Sequence, residues 1–190
     1  MLPPPPGLAS TVTPVQLLSS RLVFRSPSKA VKPDMMVRKH STSHSPLVSP
    51  FLLRTAWYEW LPAPSYDFTG ITISAGDVVR LTVTASSATS GTAKIENLTN
   101  GQMVSERLTS TSPLCGQNAE WIVEDFSVGT SSGTSQVPFA DFGTVAFTNA
   151  EATGTGTYTP SSAILFDIEQ NNQILTSTTT SGSSVTIKYL

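Results

Sequence analysis

The chain has one cysteine, two histidines and few charges, and each scarcity removes a class of function. Cys115 stands alone, so no internal disulfide and no cysteine-rich zinc or iron-sulfur centre is available to it. His40 and His44 lie four apart in a serine-rich stretch without further ligands, and no metal is expected. With both histidines there, no Ser-His-Asp arrangement is legible, and no glycine-rich phosphate loop appears, so no cofactor is expected either. Long apolar runs are also missing. Val15 to Leu18 and Leu47 to Leu53 are short and interrupted by polar residues or proline, which excludes a membrane span and a secretory h-region.

What charge there is divides sharply near Trp57. Residues 1–56 hold Arg21, Arg25, Lys29, Lys32, Arg38, Lys39 and Arg54 against Asp34 alone, a formal charge of +6. Residues 57–190 hold twelve acids against Arg80, Lys94, Arg107 and Lys188, a formal charge of −8. The first segment opens with four consecutive prolines and shows no sustained period of 2 or 3.6, so it reads as a disordered, basic, Pro/Ser-rich stretch. An organelle transit peptide would need an amphipathic helix, which the prolines oppose. A nucleic-acid or anionic-membrane arm would be expected to interleave aromatics or carry a motif, and neither is present. A solvated tail, or an artefactual start to the chain, is the preferred reading; an unspliced intron or a wrong start would make the whole a mis-assembled gene product.

Residues 57–190 are of a size for one domain and read as all-β. Val79, Leu81, Val83 and Ala85 alternate with Arg80, Thr82 and Thr84, the period of a strand with one buried face. Strands are expected at 93–98 and 102–108, joined through Asn100-Gly101 as a tight hairpin turn, and at 120–126, 139–147, 164–169, 173–177 and 185–189. Asn171-Asn172 is a further turn. Many short strands and no helical pattern predict a two-sheet antiparallel β-sandwich.

Two carboxylates break that pattern. Glu120 and Glu124 sit in a run whose Trp121, Ile122, Val123 and Phe126 otherwise read as a buried strand. An unpaired carboxylate is costly to bury, so an acid on the inner side of a strand is paired or functional. Four residues along a strand separate two side chains by roughly 13 Å, too far for the pair to share a proton. Upstream, Trp57 and Glu59 share one face of an expected strand and Tyr58 and Trp60 the other; either pair suits a cleft, and a core role for the aromatics is equally open.

Trp57-Tyr58-Glu59-Trp60, Phe68 to Ile73 with Gly76-Asp77, Glu96 to Thr99 with Gly101-Gln102, and Asn118 to Phe126 follow one another in an order that resembles the glutamic peptidases, or eqolisins. The resemblance covers about residues 56–190 and implies a concanavalin-like sandwich, proteolysis at acid pH, a polypeptide substrate and an extracellular location. It implies that Glu124 is the catalytic glutamate and that Trp57 and Glu59 bind substrate. The chemistry suits the residue, because a carboxyl of raised pKa serves as base and then acid while a side-chain amide stabilises the oxyanion.

The family's catalytic glutamine lies upstream of the Trp-Tyr-Glu-Trp motif, and no segment before Trp57 matches its surroundings; Gln16 sits in a basic, proline-rich context and does not inherit the role. An impaired or inactive enzyme with an incomplete sandwich is the expectation, and a non-catalytic β-sandwich that binds peptide or carbohydrate is the alternative. Thr55 and Leu61 replace an Asp and a Tyr usual around the motif, and the cysteine that in relatives pairs with Cys115 is missing. No nucleic-acid or membrane partner is expected, and the folded protein is expected to be a monomer. Asn97-Leu98-Thr99 is a glycosylation sequon, meaningful only in a secretory compartment. Few charges suit acid conditions, since fewer paired carboxylates means less stability lost on protonation.

Overall fold

A computed structural model describes residues 9–16, 20–22, 33–39, 54–74, 76–114, 116, 118–123, 127–130, 133–136, 139 and 141–190. Apart from a single 3-10 turn at Pro160–Ser162, all regular structure among them is strand. In chain order the strands are β1 (Ala9–Gln16), β2 (Ser20–Leu22), β3 (Pro33–Lys39), β4 (Arg54–Trp60), β5 (Tyr66–Asp67), β6 (Val78–Ser87), β7 (Ser90–Asn97) and β8 (Met103–Thr109). They continue with β9 (Ser127–Thr130), β10 (Gly133–Gln136), β11 (Thr144–Thr153), β12 (Thr157–Tyr158), β13 (Glu169–Gln170), β14 (Gln173–Ile174), β15 (Thr176–Ser181) and β16 (Ser184–Tyr189).

Every pairing is antiparallel. The larger sheet runs β15-β16-β11-β1-β6-β7-β8 with β12 added to β11, and the smaller runs β2-β3-β4-β5. Alternation in β6 and β7 turns Val79, Leu81, Val83, Ala93 and Ile95 into a core shared with Val145, Phe147, Val185 and Ile187 of the same sheet. Ala56 of β4 and Phe68, just beyond β5, join that core from the smaller sheet, so the two sheets close on one apolar layer and the expected sandwich is present.

The sequence suggests no strand before Trp57, yet three of the strands fall there. β1 lies at the centre of the larger sheet, between β6 and β11, where Val12 registers with Leu81 and Val15 with both Val79 and Phe147. Without a chain at this place the facing N–H and C=O groups of β6 and β11 would lack ladder partners, and that demand outweighs the poor local signal. Pro14, which argues against a central strand, is accommodated where the register slips on both sides.

Other expectations shift. The β7–β8 hairpin forms, but not as a two-residue turn. Only Gly101 takes a positive φ, and the connection is closed by Gly101 N donating to Asn97 O and Asn97 N donating to Gln102 O. Asn171-Asn172, by contrast, does form a two-residue turn, both residues left-handed, between Gln170 and Gln173. Residues 118–123 and 163–168 are not strands: the first places Val123 in the core and the second leaves Ile164 and Phe166 exposed, and neither has a ladder neighbour. The expected strand at 139–147 begins later, at Thr144, and runs on to Thr153.

Candidate active site

Strand β4 has two unlike faces. Ala56 lies in the core and Tyr58 packs against it. The Tyr58 ring stands 4.9 Å from Phe68 and 5.9 Å from Tyr66, centroid to centroid, and burial, with lesser help from Glu106 and Tyr66, pushes its hydroxyl pKa above the ordinary 10.0. Trp60, on the same side, donates from Nε1 to Ser112 O at 3.0 Å. Its ring lies over Gly91 of β7, where an added Cβ would come within 2.7 Å of Thr84 O and 3.5 Å of the indole. The glycine is required by the close Thr84 carbonyl, whereas the indole would meet a Cβ at ordinary contact distance.

Trp57 and Glu59 belong to the other face. Trp57 is only 8% exposed, and Glu59 is half-buried. Both make contacts that hold them, and neither is a loose surface group. The structure thus shows which pair shares the side of Ala56: Tyr58 and Trp60 stand on it, and Trp57 and Glu59 on the opposite one.

Across β3 the register brings Asp34 opposite Glu59 and Met36 opposite Trp57. Sequence reasoning missed this carboxylate neighbour, because only strand pairing reveals it. No glutamine occurs in β3. Gln16 is the last residue of β1, in register with Val78, and so belongs to the other sheet.

Val123 is buried in the core and Trp121 packs against it, with a buried indole Nε1 that has no hydrogen-bond partner among the described residues. Glu120 and Ile122, the alternate positions, are half-buried, and Glu120 is engaged by a polar or ring contact. Glu124 and Cys115 lie outside the described residues. Among the described residues no group of three or more His, Cys, Asp or Glu is placed to hold a metal, and no helix is long and apolar enough to cross a membrane.

The comparisons with known proteins decide the family. The sequence model of the Peptidase A4 family matches residues 53–189. The chain belongs to the Peptidase A4 family. Over 138 residues it is 54% identical to aspergillopepsin-2 of Aspergillus niger, which takes in 71% of this chain and 48% of that protein. Over 141 residues it is 45% identical to scytalidopepsin B of Scytalidium lignicola, 71% of this chain and 54% of that one. The chain therefore spans about half the length of the two curated relatives it matches.

Among Peptidase A4 structures, that of aspergilloglutamic peptidase from Aspergillus niger superposes with a TM-score of 0.76 at 41% identity, over 96% of this chain and 99% of that one. Scytalido-glutamic peptidase, solved with a peptide-based transition state analog, gives 0.79 at 32%, over 97% and 92%. The family's sequence match begins at residue 53, whereas the structural likeness takes in nearly the whole chain. The early strands enter the family fold by position and not by recognisable sequence.

Proposed function

We propose that this chain is a glutamic-type endopeptidase by descent that acts on unfolded polypeptide under acid conditions, with Glu124 as its base and then its acid. In this reading Glu124 takes a proton from the attacking water and returns it to the leaving amine, while Trp57 and Glu59 line the groove that holds the peptide. The observation that carries it is the second face of β4, where a nearly buried tryptophan and a held, half-buried carboxylate share the side opposite Ala56 and Tyr58. Membership of the family and a relative's complex with a peptide-based analogue support a polypeptide substrate. We take residues 57–190 as the peptidase-like domain, whose sheets β1, β2 and β3 complete, and an extracellular compartment as its place of work.

The weak point is the oxyanion donor. Neither strand hydrogen-bonded to β4 carries a glutamine, and Gln16 is committed to the other sheet. Loss of one such donor costs about 100- to 1000-fold in rate, so catalysis is impaired. The same absence favours the second reading, a sandwich that binds peptide or carbohydrate without cutting it.

Mass spectrometry of an unfolded protein incubated with the full chain at acid pH separates the two. Product peptides that persist with an aspartic-dyad inhibitor, and vanish in Glu124→Gln, support the peptidase. Equal cleavage by the variant removes Glu124 from the mechanism. Saturable tryptophan fluorescence changes with no product identify a binding module.

A further inference from the structure

Asn97-Leu98-Thr99 is a glycan acceptor sequence, and the fold uses both of its polar side chains for something else. Asn97 is 1% exposed at the end of β7. Its Nδ2 donates to Asp77 Oδ2 at 2.7 Å and to Thr72 O at 2.9 Å, which occupies both amide hydrogens. Its Oδ1 accepts from Thr99 N at 3.0 Å and Asn100 N at 3.3 Å. The Thr99 hydroxyl that completes the sequon accepts from Val78 N at 2.8 Å. Asp77, itself buried, takes its second hydrogen bond from Ser74 N at 2.7 Å.

We propose that Asn97 is a glycan acceptor in the unfolded chain only, and that the folded domain and a glycan at this residue exclude one another. Transfer from a lipid-linked oligosaccharide forms a bond from Asn97 Nδ2 to the sugar C1, breaks the C1–O bond to the lipid pyrophosphate and releases one Nδ2 proton. The modified amide keeps a single hydrogen, so either Asp77 or Thr72 loses its partner, and the sugar would have to occupy a place filled by Thr72 and Asp77. In a compartment that holds the transferase, folding of the β7–β8 hairpin and modification of Asn97 compete for the same nitrogen. A glycan at Asn97 then marks chains that failed to close the loop.

The test directs the full chain, behind an added secretion signal, into a glycosylating yeast and maps Asn97 in the soluble and the retained, insoluble fractions. Unmodified Asn97 throughout the soluble fraction is expected, with any glycan at this residue confined to the insoluble one. In parallel, a peptide of residues 90–109, which cannot build the loop without Thr72 and Asp77, is offered to purified transferase and lipid-linked oligosaccharide beside the folded full chain. Transfer to the peptide and not to the protein is expected. A glycan on Asn97 in soluble protein with an unchanged circular dichroism spectrum would overturn the proposal, and so would failure of the peptide to accept sugar. An unmodified chain in both fractions, with transfer to the peptide, agrees with it.

Discussion

The loop around Asn97 and the segment 163–175 invert the usual relation between polarity and burial. In the first, Asn97 and Asp77 are inside, and Asn100, Gln102 and the backbone of Thr72 close a ring of hydrogen bonds around them. In the second, Ile164 and Phe166 are 82% and 81% exposed. Their backbone is nevertheless held: Thr178 Oγ1 donates to Phe166 O, Ile168 N donates to Thr176 Oγ1, and Leu175 N donates to Ile168 O. The segment runs beside β15, an edge strand of the larger sheet, and its apolar side chains have no second layer to enter. Position in this sandwich is thus set first by where polar groups find partners, and hydropathy decides only where a facing sheet exists.

That contrast breaks most readily at Asn97. Asn97→Ala leaves the buried Asp77 with one donor and two backbone N–H groups without acceptor, and a loss on the order of 3 kcal/mol is expected, read as a lowered urea midpoint. Gly91→Val tests the packed side of the same hairpin by driving Cβ against Thr84 O beneath Trp60; roughly 2 kcal/mol of destabilisation is expected in the same titration. The exposed segment should behave oppositely. Replacing Ile164 and Phe166 together by serine should leave the unfolding free energy nearly unchanged, within about 0.5 kcal/mol, and lower any self-association seen by light scattering.

The smallest effect concerns Tyr58. Its folded pKa lies above the unfolded value, so its contribution to stability is whole below pH 10.0 and falls away as pH climbs through the folded value. Tyr58→Phe should flatten the alkaline limb of a stability–pH curve and leave the neutral part in place.

Much of this is legible in the residues. The alternation at Val79, Leu81 and Val83 marks β6, and the placing of Asn171-Asn172 as a turn holds, because a half-buried strand and a two-residue turn leave local signatures. The hairpin at Asn100-Gly101 is legible as a reversal but not in form, since Asn97, rather than the Asn-Gly pair, organises it. β1 is illegible: it forms because two distant strands need a neighbour, and Pro14 argues against it locally. At the candidate site the pattern places Trp57 and Glu59 on one face but leaves open which face meets the core. Asp34 opposite Glu59 follows from pairing alone and has no local signature.

The place of β1 also governs how fast the protein reaches its structure. Val15 meets Val79 on one side and Phe147 on the other, so the middle of the larger sheet cannot zip from a local hairpin. It must wait for a loop that spans most of the chain to close, and such long-range pairing slows folding and leaves the β1-facing edges of β6 and β11 open in the interval. During synthesis β1 emerges first and β11 much later, so the segment that completes the sheet spends longest without its partners. Yield on expression, more than stability once folded, is the property this arrangement puts at risk.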